Sequence, residues 1–346
     1  MSTPEGHITF AAARAQQHDA LRDAIRTLTA EVEARQADGW FRGPGPIFVA
    51  IGASLAAACA PTWTLRRRGV HAWRLGAGDH PLPYPETDHP LVAVSQSGRS
   101  AETLAVLQSV GEPLRYAVTN ARRSPIAAAA ARHLPLGDLP DSYASTIGYT
   151  ATVAGLGMIA EAWDDGRGDG RGGGRVDPSW ALLPQRLHEL EAALAARADE
   201  LAATFAGVRA ADFVGAGPSV GSAEAGALLF REVVRLPATA MSTRQYLHGA
   251  MESAGGTAHV LIGDQREADV ARTLAAAGHA VVLVTAEAAE PGPRFQVVRL
   301  PALPPSQRAI LEAVVLQTLV AQTAARSGID VEDFVFEHDD TKVAAL

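Results

Sequence analysis

The stretch Ser95-Gln96-Ser97-Gly98-Arg99-Ser100-Ala101-Glu102-Thr103 gathers four hydroxyls around one glycine, directly after the apolar run Leu91-Val92-Ala93-Val94. The run reads as a buried strand, and residues from about Ser100 to Val110 read as a helix. The first amides of a helix have no internal partner and its dipole is positive there. Hydroxyls and amides without a fixed positive charge suit a phosphate monoester, and Gly98 lets the backbone wrap around it. The same pattern also describes a serine-rich helix start with Ser100 as its cap. Ser54 follows the strand Ile47-Phe48-Val49-Ala50-Ile51 in the turn Gly52-Ala53-Ser54. It would share a crevice with the loop, because open α/β sheets bind ligands beyond the carboxyl ends of their strands.

Two further residues invite chemistry. A helix predicted from Ser219 to Arg235 carries Ala225, Leu228, Leu229 and Val233 on one apolar stripe, and Glu232 falls on that stripe. A carboxylate placed there loses hydration, its pKa rises, and it becomes a base for work near neutral pH. The alternative is a solvated carboxylate paired with Arg235 three residues on. The second residue is Lys342. Of the 30 Lys and Arg residues, it is the single lysine. Either one position needs a compact ammonium that a guanidinium cannot replace, or one lysine survives by chance in a chain biased towards arginine.

These residues need a scaffold, and the composition supplies one. The chain has 346 residues, 47% of them hydrophobic, which is room for about two domains with sizeable cores. One cysteine, Cys59, excludes an internal disulfide. A net charge of -8 without a basic stripe argues against nucleic acid or an anionic membrane surface, and no apolar run reaches membrane length. A cytoplasmic protein is expected. Strands alternate with helices twice over. In the first half strands are read at 47–51, 70–75, 91–94 and 114–118, with helices at 9–36, 55–68, 100–110, 127–132 and 146–163. The segment from Asp164 to Asp177 is rich in glycine and arginine and reads as a solvated linker. The plan then restarts, with a helix at 182–205, Phe213-Val214 before Gly215-Ala216-Gly217, strands at 260–262 and 281–284, and a last helix near 307–326. Two copies of one α/β plan imply internal pseudo-symmetry.

The loop Ser95–Thr103 resembles the signature of sugar isomerase (SIS) domains, Ser-Gln-Ser-Gly-x-Ser-x-Glu-Thr. Tyr143-Ala144-Ser145-Thr146 resembles the Val-Ala-Ser-Thr-Lys segment of double-SIS enzymes, with Ile147 in place of the lysine. Gly215-Ala216-Gly217 and Leu247-His248-Gly249 resemble the second SIS domain of glucosamine-6-phosphate synthase. The resemblance implies an α/β fold of two tandem SIS domains, each a parallel sheet flanked by helices on both faces. The first would span 1–165, the linker 166–177, and the second 178–346 with a catalytic tail.

The resemblance also implies roles. Ser95, Gln96, Ser97 and Ser100 would hold the phosphate of a hexose or hexosamine 6-phosphate, with Ser54 and Ser145 near the sugar. Glu232 matches the glutamate that moves the proton between C1 and C2. His248 matches the histidine that helps open the ring and reaches the site from a partner subunit, which implies a homodimer with shared sites. Lys342 stands where the family has a tail lysine that closes over the substrate. Glu252, four residues after His248, is an extra carboxylate, an acid or a structural cap. Aldose–ketose isomerisation or deaminating isomerisation would follow, with elimination to a lyase product as the alternative and a non-catalytic sugar-phosphate sensor as another. Leu229 replaces a family lysine one turn before the glutamate, which weakens amination and keeps the lyase open. No glutaminase domain precedes the motifs, so no glutamine hydrolysis is expected. Gly215-x-Gly217 lacks the third glycine of a dinucleotide fingerprint, and Glu337-His338-Asp339-Asp340 reads as a solvated turn, so neither NAD nor a metal is expected.

Overall fold

The computed structural model describes residues 6–79, 81–164, 174–336 and 340–345. It divides into two compact units, residues 1–184 with 336–346, and residues 185–335. In the first, strands β1 (Ile47–Ala50), β2 (Trp73–Gly76), β3 (Leu91–Ser95), β4 (Arg115–Thr119) and β5 (Arg132–Pro135) form a parallel sheet in the order β2-β1-β3-β4-β5. In the second, β6 (Ala210–Gly215), β7 (Ala238–Ser242), β8 (Thr257–Ile262), β9 (Ala280–Thr285) and β10 (Phe295–Arg299) are parallel in the order β10-β9-β8-β6-β7. Counted within each unit, both orders are the same: the second strand at one edge, then first, third, fourth and fifth. The internal repeat expected from the sequence is therefore a repeat of sheet topology.

Every residue of β1, β3, β8 and β9 is buried. Central strands of parallel sheets read as such unbroken apolar runs. The helix Ile147–Ala162 was expected from its unbroken apolar character, and all of its residues except Glu161 are buried. A helix apolar all round belongs inside.

Three strands escaped the sequence reading: β5, β7 and β10. Each lies at a sheet edge. Edge strands carry polar or small residues, here Arg132-His133 in β5 and Ala238-Thr239-Ala240 in β7, so no continuous apolar run marks them. The predicted helix at 127–132 is instead a short helix, Pro125–Ala129, that leads into β5. The long helix expected at 182–205 breaks into Leu183–Ala195, Ala198–Ala202 and one 3-10 turn.

Residues 165–173, most of the expected linker, lie outside the described residues. Its described end is tied down: Gln36 Nε2 donates to the Gly174 carbonyl, and the Asp177 amide donates to Glu161. The tail does not stay with the domain expected at 178–346. Its described residues, 336 and 340–345, group with the first unit, and Val343 joins an apolar cluster with Leu104, Leu107 and Ile126.

Candidate functional site

β3 ends at Ser95, and the loop that follows is closed by its own hydroxyls. Ser95 Oγ accepts from the Gly98 amide at 3.1 Å and lies 3.2 Å from Ser100 Oγ. Ser97 Oγ accepts from the Arg99 amide at 3.3 Å. Gly98 has φ 61°, and a Cβ there would lie 2.0 Å from Ser124 Oγ, so the turn admits no other residue without displacement. Ser100 stands at the N-cap of the helix Ala101–Gln108 yet makes no side-chain capping bond. The capping alternative is therefore not how its hydroxyl is used. Thr103, one turn in, is fully buried, and its hydroxyl has no partner among the described residues. A buried hydroxyl left unpaired is costly and calls for a ligand or water.

The tail is seated on this loop through its backbone. The Ala101 amide donates to the Thr341 carbonyl at 3.2 Å, and the Val343 amide donates to the Arg99 carbonyl at 2.9 Å. Arg99 Nε returns a bond to the Val343 carbonyl at 2.7 Å, and Ser100 and Lys342 form an antiparallel bridge. Lys342 therefore runs directly past the hydroxyl cluster, with its side chain exposed.

Gln96 differs from its expected role. Its Nε2 donates to the Gly148 carbonyl at 2.6 Å and to Thr152 Oγ1, so the side chain fastens the loop to the helix Ile147–Ala162. Gly148 is required by this approach, since a Cβ would meet Gln96 Oε1 at 2.3 Å and Asp141 Oδ2 at 2.6 Å. Ser145 donates its hydroxyl to Asp141 Oδ2 at 2.6 Å. Asp141 is the residue that sequence reasoning missed. Its carboxylate also receives the Thr146 hydroxyl and the amides of Thr146, Ile147 and Gly148, at 2.9–3.1 Å. It supplies the anion favoured at that helix N-terminus. Its distance from the helix start, across a loop, hid it from a search for an adjacent cap. Ser54 sits half-buried in the short helix Gly52–Ala57 after β1, which pairs with β3.

In the second unit the helix expected from Ser219 to Arg235 is α-helical over Val220–Leu229 and π-helical over Phe230–Val234. π segments inside helices are frequent at functional sites. Glu232 lies in this one. Burial raises its pKa to about 7, and no hydrogen bond or ion pair holds it among the described residues. The expected alternative, a pair with Arg235, does not form. Arg235 closes the helix in the left-handed region at φ 58° and bonds Asp333 at 2.9 Å. His248 ends the helix Thr243–Leu247, and both it and Glu252, in the turn Ala250–Ser253, are exposed. Glu337, His338 and Asp339 lie outside the described residues.

No protein-family model and no curated protein sequence matches the chain. Solved structures do. The chain is similar to the C-terminal domain of glucosamine-fructose-6-phosphate aminotransferase from Francisella tularensis, with a TM-score of 0.77 and 17% identity, over 96% of this chain and 99% of that one. It is similar to tagatose-6-phosphate ketose/aldose isomerase from Escherichia coli, with a TM-score of 0.75 and 16% identity, over 95% and 96%. A third is glucosamine-6-phosphate deaminase from Thermotoga maritima, at 0.69 and 17%, over 93% and 96%. The chain thus has the tandem SIS fold of phosphosugar isomerases. Within that class its fold is similar to that of the isomerase domain of the aminotransferase over nearly the full chain.

Proposed function

We propose that the chain is an enzyme that abstracts the C2 proton of a hexose or hexosamine 6-phosphate. The observation that carries this reading is Glu232, a desolvated carboxylate in a π segment, without a partner among the described residues and with its pKa raised to about 7. A general base works best with its pKa near the operating pH. The structural neighbours, an isomerase and a deaminase among them, support the substrate class.

The phosphate rests on the hydroxyls of Ser95, Ser97 and Ser100 and on the helix amides. Gln96 contributes through its backbone, since its side-chain amide is engaged elsewhere. Ser145 meets the sugar as an acceptor, because its proton goes to Asp141. Ser54 and the exposed Glu252 are further sugar contacts. Glu232 takes the C2 proton, leaving an enediol or enolamine. Return of the proton to C1 gives aldose–ketose isomerisation, and with a 2-amine it leads to deamination. His248 takes the hydroxyl proton and returns it to the ring oxygen, which an imidazole does near neutral pH. Its exposure suits service in the site of a second copy, so a homodimer is the working assembly. Lys342 steadies the enolate oxygen. The reading implies a cytoplasmic enzyme without nucleic-acid or membrane partners, and no described helix is long and apolar enough to cross a membrane.

A second reading has one observation of its own. Leu229, nearly buried, stands one turn before Glu232 where the resembled synthase has a lysine. Without that amine, loss of the C3 substituent from the same enolate competes, giving a lyase. The test is incubation with glucosamine 6-phosphate, its N-acetyl form and fructose 6-phosphate, while ketose, ammonia and ultraviolet-absorbing enal are followed. Glu232→Gln should cut turnover by about 10²–10⁴ and stop deuterium entering C2 from solvent. Binding without conversion of any of the three would make the chain a sensor and end the enzymatic reading.

A further inference from the structure

His248 is exposed and stands between the five-residue helix Thr243–Leu247 and the 3-10 turn Ala250–Ser253, which is a poor foundation for a group that must be aimed. A single buried side chain spans that segment. His259, on β8, is fully buried. Its Nδ1 lies 3.1 Å from the Tyr246 hydroxyl, two residues before His248, and its Nε2 lies 3.4 Å from the Ala254 carbonyl, six residues after it. A carbonyl only accepts, so Nε2 carries the proton and Nδ1 accepts from Tyr246. One imidazole thus closes both ends of residues 246–254 onto the sheet.

The ring lies at the end of a polar row across the sheet. Asp212 on β6 lies between Thr239 on β7 and His259 on β8 in the strand registers, and these three form one row across the sheet. Thr239 donates to Asp212 Oδ1, and Asp212 Oδ2 is 3.6 Å from His259 Nδ1. His279 packs edge-on against the ring, with centroids 5.6 Å apart. Burial lowers the pKa of His259 despite Asp212, which keeps the ring neutral and its two nitrogens distinct as donor and acceptor. Tyr246 and Ala254 also share one apolar cluster with Met251 and Leu247, so the segment has packing below and hydrogen bonds at both ends.

We propose that His259 is a positioning residue that fixes the His248 segment by bonding Tyr246 and Ala254 at once. The proposal rests on the role given to His248 above, and the experiment separates the two. His259→Leu removes both bonds at similar volume. It should lower kcat by about 10–100-fold, the cost of a mis-aimed group, with KM little changed. Amide exchange should quicken at residues 247–253 and not in the central strands. His259→Gln keeps one donor and one acceptor and should recover part of the turnover. In a His248→Ala background, His259→Leu should cost nothing further, because it acts through the missing ring. Should His259→Leu unfold the unit, Tyr246→Phe keeps the packing, loses one bond, and should show the same exchange pattern in milder form. If His248→Ala itself leaves turnover intact, the functional reading of His248 falls, while the exchange measurement still tests the clamp. Wild-type kcat together with unchanged exchange at 247–253 in the His259 and Tyr246 variants would overturn the proposal.

Discussion

The two units carry the same turn, from the third strand of the sheet into a helix, and use it in opposite ways. After β3 the turn holds hydroxyls, and the buried Thr103 hydroxyl has no partner among the described residues. After β8 the corresponding turn is Gly263-Asp264-Gln265, and its anion is built in. Asp264 accepts from Thr285 Oγ1 at 3.0 Å, the Ala286 amide at 2.9 Å and Arg308 Nη1 at 2.6 Å. Arg308 Nε then bonds Glu312 at 2.8 Å, and Glu312, 1% exposed, takes the hydroxyls of Ser219 and Ser222. Burial alone would push Asp264 up, but the bonds from Arg308, Ala286 and Thr285 outweigh it and hold its carboxyl below the usual range. On the proposed function, one copy of the fold leaves this turn to a ligand's phosphate, where the other places its own carboxylate.

The same unit holds two glutamates, Glu312 buried and Glu232 half-buried, that differ in the same sense. Glu312 is bonded on both oxygens and serves the core. Glu232 is bonded to nothing among the described residues, and desolvation raises its pKa.

The largest expected effect breaks the filled copy. Arg308→Met leaves Glu312 buried without its cation and should destabilise the second unit by about 3–5 kcal/mol, read by denaturant unfolding. Phosphate affinity of the folded fraction should be unaltered. A parallel loss of sugar-phosphate binding in titration calorimetry would mean that the second turn also binds ligand and that the contrast is wrong.

Next comes the open copy. Ser95→Ala with Ser97→Ala removes two hydroxyls that, on the proposed function, face a dianion, and each such bond is worth about 1.5–3 kcal/mol. KM for the 6-phosphate should rise by at least about 100-fold, while the dephosphorylated sugar is bound no worse than before. Equal affinity for both forms in the unmutated protein would remove the phosphate from the loop.

The glutamate contrast gives a smaller effect with a definite sign. The pKa of Glu232 is raised on folding from 4.5 to about 7, so the native state binds its proton more tightly than the unfolded state. Its contribution is fully favourable below pH 4.5 and is lost as pH rises through 7. Glu232→Gln should therefore stabilise the protein at pH 8 by about 1–3 kcal/mol and do little at pH 4.5. In the unmutated enzyme, kcat/KM should fall as pH drops below 7, where the base is protonated. A melting temperature for the variant below that of the parent at pH 8 would contradict the burial argument.

The smallest effect concerns the tail. Val343→Asp places a charge in the cluster with Leu104 and Ile126 and should unseat residues 341–345. The first unit should lose about 1 kcal/mol or less, because few contacts are involved. Turnover should drop if Lys342 acts from its seat beside Ser100, and full turnover would return the lone lysine to codon bias.

How much of this was readable in the chain follows from the range of each signal. The candidate loop Ser95–Thr103 is a contiguous string between an apolar strand and a helix, so local pattern was enough to single it out as a candidate. The repeat was legible for the same reason, since buried central strands are unbroken apolar runs. Glu232 was picked out by its place on an apolar stripe, although the π segment that frees it from Arg235 was not visible, because a shift of helical register leaves no mark in periodicity.

What only tertiary structure decided are contacts that leave no local pattern in the sequence. The edge strands β5, β7 and β10 exist because a neighbour pairs with them, whatever their own composition. Asp141 caps a helix across a loop, and Gln96 turns to a helix more than fifty residues away. The tail finds the loop at Arg99 from the other end of the chain. His259 meets Tyr246 and Ala254 because β8 carries it beneath them. Periodicity reports which way a residue faces; only the folded chain decides what stands opposite, because hydrogen bonds and packing act through space over a few ångström, with no reference to sequence distance.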